Sequence, residues 1–281
     1  MMNKIGFVGA GKMGVSLGHY LKNNGLCVTG FYDSVSEAAR FASELTETVH
    51  FANLNALLEA CEVVFVTVPD GVIAAVWDSC RQYDIRGKYF FHCSGALGSD
   101  VFSGSEEAGV QACSVHPVCA VGSQNDCDVF FGKFFVGEGD ETGLKLLKSM
   151  LERTNNPFRM IRNADKAKYH AAAVVSSNLF CALAQMGEDL LHECGFDPGA
   201  AHELLSPLML GNMDNIAEKG CVPALTGPVE RNDAGTVAKH LSVLEHRDRE
   251  VYRLLTLRLI DMAQQKHRDR DYTNLLKMLE K

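Results

Sequence analysis

The sequence has a single tryptophan, only seven prolines and no apolar run near the ~20 residues that a membrane-spanning helix requires. Positive charge is also short: 27 Lys and Arg stand against 35 Asp and Glu, a formal charge of −8. That balance leaves no basic footprint for nucleic acid or anionic lipid. Ten cysteines are present, at positions 27, 61, 80, 93, 113, 119, 127, 181, 194 and 221, yet none pairs with another in CxxC spacing. Most lie inside apolar segments, where a reduced thiol behaves as a small hydrophobe, so neither zinc ligation nor disulfides are expected. The first residues, MMNKIGFVGAG, run into a strand pattern without the organisation of a signal peptide. A cytoplasmic, reducing compartment is the expectation.

What is present is a core. Apolar residues make up 47% of the 281 and charged residues 22%, enough for one large or two ordinary globular domains. Up to residue 162 short apolar runs (KIGFVGAG, CVTGFYD, EVVFVTVP, KYFFHCSG, GVQACSV, KFFVGEG, PFRMI) end at Gly, Pro, Asp or Ser. Helical patterns such as KMGVSLGHYLKNN and ETGLKLLKSMLER lie between several of them. Apolar strands separated by helices predict a mostly parallel sheet covered on both faces. From residue 163 the strands stop and long helical segments follow. The sequence thus predicts an α/β Rossmann-like parallel sheet over 1–162 followed by an all-α C-terminal domain over 163–281. Its tail, QKHRDRDYTNLLKMLEK, reads as a charged, solvated helix.

The string GAGKMG places Gly9, Gly11 and Gly14 in G-x-G-x-x-G spacing between a strand and a helix. Asp33 ends the next strand. In a mononucleotide-binding unit the first glycine permits a tight turn, the second admits the pyrophosphate, and the third lets helix and strand pack closely. The helix N-terminus then faces the phosphates. The loop residues Gly9, Ala10, Gly11, Lys12, Met13 and Gly14 are the expected cofactor contacts. Asp33 is the expected ribose acceptor, and Ser34 follows it. Val68, Pro69 and Asp70, in TVPDGVI, should border the same ligand. An acid at position 33 leans to NAD, although Ser34 and Ser36 would tolerate a 2′-phosphate, so the cofactor is NAD or NADP.

Together with GAGKMG, the segments TVPDGVI, HCSGALGSD, SVHPV, YHAAAVVSSN and ALTGPVERND resemble a family of NAD(P)-dependent oxidoreductases of unassigned substrate. That family joins a Rossmann-like domain to a helical domain catalogued without a function. More distantly the sequence resembles the 6-phosphogluconate dehydrogenase-like superfamily, with pyrroline-5-carboxylate, ketopantoate and prephenate enzymes among its members. The resemblance implies a substrate cleft between the domains and a homodimer formed through the helices. It names no substrate.

Hydride transfer needs a partner that moves a proton, and a histidine suits that task near neutral pH. His116 precedes Pro117, which biases it to an extended backbone at a strand end. The resemblance to prephenate dehydrogenases gives His116 the acid/base role and makes Ser94 the residue that orients the histidine or the substrate; the other reading of His116 is a turn residue. On a continuous helix His170, Val174, Ser177 and Cys181 would share a stripe, with Asn178 about 80° round from His170. Val174 replaces the lysine that related dehydrogenases carry there, so His170 and Asn178 are the expected helical wall, with a packed core histidine as the rival reading of His170. Arg231 is a candidate carboxylate clamp or interface ion-pair partner, Asp233 a helix cap, and His240 a packing residue. The spacing of His92, His116, His170 and His240 supports no metal site. The expected activity is an NAD(P)-dependent oxidoreductase acting on a small polar, carboxylate-bearing hydroxy/keto or amino/imino substrate. The alternative is a non-catalytic NAD(P)-binding sensor or partner-binding protein.

Overall fold

Short runs rich in Val, Ile and Phe become strands, and amphipathic segments between them become helices, as branched and aromatic side chains favour a pleated, buried surface. The computed structural model describes residues 3–124 and 126–280. In chain order these form β1 (Ile5–Val8), α1 (Lys12–Asn23), β2 (Val28–Tyr32), α2 (Ser36–Thr46), β3 (Val49–His50), α3 (Leu54–Ala60) and β4 (Val63–Val66). Then come α4 (Ile73–Cys80), β5 (Tyr89–His92), β6 (Gln111–Pro117), β7 (Phe135–Gly139), α5 (Glu141–Arg153), β8 (Phe158–Met160) and α6 (Lys166–Val175). The helices α7 (Asn178–Glu193), α8 (Pro198–Lys219), α9 (Cys221–Ala224), α10 (Ala234–Val243), α11 (His246–Lys266) and α12 (Thr273–Leu279) complete the chain. No helix among the described residues is long and apolar enough to cross a membrane.

The eight strands form one sheet in the order β3-β2-β1-β4-β5-β6-β7-β8, parallel except where β7 runs against β6. The order 3-2-1-4-5-6 is that of a dinucleotide-binding sheet. Register is uniform across its centre: Tyr32, Val8, Val66, His92 and Ser114 are successive partners across the five strands β2, β1, β4, β5 and β6. Every loop leaving the carboxyl end of this array starts at one level. Alternate strand residues enter different cores, Phe7, Phe65 and Phe91 one, Val8, Val64 and Phe90 the other, as period-2 side-chain alternation requires.

Two elements escaped the sequence pattern. β3 has only two residues, and α4 reads from sequence as one apolar run. His116 is also placed differently from expectation. It lies inside β6, opposite Val136 of the antiparallel β7, because β7 supplies ladder partners beyond the point where the parallel neighbour ends.

Contacts divide the chain into two units, the first ending at Val175 and the second beginning at Ser176. The strand-less region begins earlier, at 163, but α6 stays with the sheet unit. The helix expected to run unbroken through YHAAAVVSSNLF stops at Val175 and restarts at Asn178. Serine side chains compete for backbone hydrogen bonds, so Ser176–Ser177 is a natural breaking point. Asn178 therefore does not share a helix with His170, and the 80° argument lapses.

In the second unit Leu225, Val229, Val237, Leu241, Ile260, Tyr272, Leu275 and Leu279 form the core. The tail is consequently not a solvated appendage: Tyr272, Leu275 and Leu279 are fully buried. Asp233 caps α10 by accepting from the Thr236 backbone N–H at 3.0 Å, and His240 bonds the Tyr252 hydroxyl at 2.7 Å, the bland roles expected of both.

The largest buried side chain, Trp77, packs edge-on against Phe90 and Phe102 and donates its indole N–H to the Ser103 carbonyl at 2.8 Å. Trp77→Ala should lower unfolding free energy by about 3–5 kcal/mol, read from the midpoint of a urea titration with unchanged slope.

Candidate active site

The Gly-rich turn is built by close approach. Gly9 sits at φ +107°, and a Cβ there would lie 2.8 Å from the Thr67 carbonyl carbon. A Cβ on Gly14 would come within 2.3 Å of the Gly9 carbonyl oxygen. Gly11 differs, since a Cβ there meets nothing within 4 Å. Gly9 and Gly14 thus pack the turn, while Gly11 borders open space. No side chain caps α1 at Gly11, so its first N–H groups face outward as an anion site would require.

Asp33 reaches back from β2: its Oδ2 accepts the Ala10 N–H at 2.7 Å and its Oδ1 the Val35 N–H at 2.8 Å. The Ser34 hydroxyl also donates to Oδ1, at 3.5 Å, so Oδ2 is the oxygen that keeps a lone pair for a ribose hydroxyl. Beside it lies a cleft of about 310 Å³ whose wall includes Gly9, Asp33, Ser34, Leu54, Val68 and Val76. An apolar wall with one carboxylate at its rim fits an adenosine, and the open Gly11 fits the phosphates that follow. Leu54 and Val76 were not legible as lining residues of this cleft, because nothing in a local motif points to them. Lys12 opens α1 and is exposed, and Met13 packs partly into the sheet core. Gln124 donates to the Ala10 carbonyl at 3.0 Å, tying the segment after β6 to the same turn.

The second cluster sits where β4, β5 and β6 end. Ser94 donates its hydroxyl proton to Asp70 at 2.7 Å and accepts from the N–H groups of Ala96 and Leu97 at 3.2 and 3.0 Å. A hydroxyl has one proton and two lone pairs, so Ser94 is fully occupied. The expected role of orienting His116 or a reacting oxygen is corrected: Ser94 shapes the CSGALG loop and anchors Asp70. Asp70, expected beside the cofactor, is that anchor's partner in the 3-10 turn Asp70–Val72. His92, fully buried, accepts the Ser94 N–H at 3.2 Å through Nδ1 and meets the Gly98 carbonyl at 3.0 Å through Nε2. It is a neutral core histidine.

His116 and His170 come together. Their rings cross at 85° with centroids 6.0 Å apart. Gly95 lies against both: a Cβ there would be 3.0 Å from His116 Nε2 and 2.5 Å from His170 Cδ2. The other nitrogen of His116, Nδ1, is 2.7 Å from the Tyr169 hydroxyl. One helical turn earlier Lys166, 2% exposed, donates to the Ser114 hydroxyl and stands 6.0 Å from the Tyr169 ring centroid. Tyr169 and Lys166 were missed as site residues. The available signal was their i, i+3 and i+4 spacing with His170, which puts all three on one helix face.

Burial first, and the Lys166 ammonium second, press the His116 imidazole down to about 4. Burial likewise brings His92 to about 4 and pushes the Tyr169 phenol up to about 12. Burial also lowers Lys166, opposed most by the Glu138 carboxylate. At neutral pH His116 is therefore an uncharged ring and Tyr169 an intact phenol. Among the described residues no group of three or more His, Cys, Asp or Glu side chains is arranged to hold a metal ion. Asn178 begins α7 in the second unit, where it accepts from the Ser177 hydroxyl at 3.2 Å.

The comparisons agree with this architecture. Residues 2–117 match a Rossmann-like domain and residues 133–259 match a domain of unknown function, DUF2520. The chain thus pairs these two domains. A Thermotoga maritima protein of known structure is 26% identical, with TM-score 0.75 over 93% of this chain and 99% of that one. A Bacteroides fragilis protein provisionally described as an NADP oxidoreductase is 20% identical, with TM-score 0.71 over 92% and 98%. The Plasmodium falciparum pyrroline carboxylate reductase, solved with NADP bound, is 15% identical with TM-score 0.60 over 95% and 98%. No curated protein sequence matches. The chain shares its fold with these three proteins.

The depressed histidines make stability pH-dependent. Each ring binds a proton near pH ~6.5 when unfolded but only near pH 4 when folded. Their contribution is complete above about 6.5 and is lost as pH falls toward 4, about 2 kcal/mol per ring by pH 5. In urea titrations at pH 7 and pH 5, His116→Gln should remove about half of the two-ring loss. A variant with the same pH 7-to-5 difference as the parent would contradict this.

Proposed function

We propose that this chain is an NAD(P)-dependent oxidoreductase acting on a small polar, carboxylate-bearing substrate of the hydroxy/keto or amino/imino type. The observation that carries the reading is the placement of His116. An uncharged imidazole, fixed on one nitrogen by Tyr169, presents the other beside Gly95 and His170. It does so on the same sheet edge as the dinucleotide turn, where ligands of open α/β sheets bind. The carboxylate draws support from the pyrroline carboxylate reductase among the structural neighbours.

When bound, a nicotinamide cofactor supplies or accepts the hydride. The chain's own residues do the rest. Gly9, Gly11, Gly14 and the α1 N-terminus receive the phosphates, and Asp33 receives the ribose. His116 exchanges the proton at Nε2, and His170 forms the adjoining wall. Ser94, with Asp70, holds the intervening loop so that glycine at position 95 can lie flat against both rings.

The test is a screen of hydroxy-, keto- and imino-acids by nicotinamide absorbance, followed by His116→Ala. Turnover should fall by about 100-fold or more while NAD(P) affinity stays within about twofold. Unchanged turnover would remove His116 from the mechanism. A cofactor-saturated protein inert to every probe would favour the binding-protein reading.

We also propose a homodimer formed through α7 and α8. These helices leave Leu179, Leu183, Leu204, Leu208, Leu210 and Met213 exposed, and large apolar side chains left in water suit an interface. Sedimentation should show twice the chain mass, and Leu204→Glu with Leu208→Glu should give monomer.

A further inference from the structure

Two periodicities meet in the active site. On β6, Ser114 and His116 are two residues apart and so share one face of the strand. On α6, Lys166 and Tyr169 are three apart and so share one face of the helix. The pairs are matched: Lys166 donates to Ser114, and the Tyr169 hydroxyl lies 2.7 Å from His116 Nδ1. The rings of His116 and Tyr169 cross at 77°, so the hydroxyl meets the nitrogen rather than stacking on the imidazole.

A neutral imidazole carries one proton, and its position depends on what the other nitrogen bonds. Tyr169 can donate to Nδ1 or accept from it. Burial keeps the phenol protonated, so Tyr169 brings an O–H to this contact, with the Lys166 ammonium 6.0 Å from its ring centroid. Nε2, by contrast, faces Gly95 and His170.

We propose that Tyr169 is the positioning residue of this site: its hydroxyl donates to His116 Nδ1, fixing the ring as the Nε2–H tautomer and standing ready to protonate Nδ1 as Nε2 gives up its proton. The transfer balances. As the Nε2–H bond breaks toward the substrate, Nδ1 takes the phenol proton and the ring never becomes imidazolium or imidazolate. The phenolate that remains, with the Lys166 ammonium 6.0 Å from its ring centroid, recovers its proton from Nδ1 as Nε2 takes a new one from solvent, which restores the Nε2–H tautomer. The relay extends the reading of His116 as proton carrier, but the tautomer it requires exists without turnover and is measured apart from it.

The experiment is long-range proton–nitrogen NMR on the uniformly nitrogen-15-labelled full chain at pH 7, with His116 signals assigned by their loss in His116→Gln. Nδ1 should resonate as an unprotonated ring nitrogen and Nε2 as a protonated one. Tyr169→Phe keeps the ring and removes only the hydroxyl; it should move both signals toward the averaged values of a tautomer mixture while the other histidines stay put. A protonated Nδ1 in the parent chain, or an unchanged His116 pattern in Tyr169→Phe, would overturn the proposal. If Tyr169→Phe does not fold, the parent spectrum alone still decides the tautomer. Loss of activity in His116→Ala tests the function; these spectra test the tautomer whether or not a substrate has been found.

Discussion

The site rests on the common register of the parallel strands. Tyr32, Val8, Val66, His92 and Ser114 stand side by side across the sheet, so the residues that follow them emerge at one edge. Asp33, the Gly-rich turn, Asp70, the CSGALG loop and His116 are far apart in sequence and neighbours there. A one-residue slip in any strand would turn its side chains to the other face. The two aromatic-rich cores hold the register, since Phe65 and Phe91 belong to one and Phe90 and Trp77 to the other.

On this edge the electrostatics are set by burial. Lys166 is an ammonium taken almost wholly out of water, a costly arrangement unless its hydrogen bonds and counter-charges are in place. Ser114 supplies the hydrogen bond and Glu138, also buried, the nearest opposing influence. Glu138 in turn is held by the Ser99 N–H at 2.7 Å and hydroxyl at 2.9 Å. The same cation helps keep His116 neutral. A structural charge and a chemical group are therefore coupled through α6, and α6 belongs with the sheet although it follows the last strand.

Legibility in the sequence followed the range of the interaction. The glycine-rich turn was readable because its glycine spacing is local, a matter of a few neighbouring residues. The pairing of His116 with His170 was anticipated only as a rivalry; the structure brings their rings together. Ser94 was misassigned because its hydroxyl is saturated by Asp70, Ala96 and Leu97, a count that needs coordinates. The unbroken helix through Asn178 failed because periodicity registers apolar spacing and is blind to two serines that leave the helix. The charged tail concealed Tyr272, Leu275 and Leu279, whose burial depends on partners on other helices.

The sequence by itself determined the alternation of strands and helices, the glycine-rich turn and the helical second half, since hydrophobic period and glycine spacing are properties of neighbouring residues. Only the tertiary structure decided that Lys166 is buried, that Tyr169 touches His116 and that Ser94 serves its own loop. The first two depend on one face of β6 meeting one face of α6, at sequence separations of 52 and 53 residues, and no local pattern encodes which faces meet.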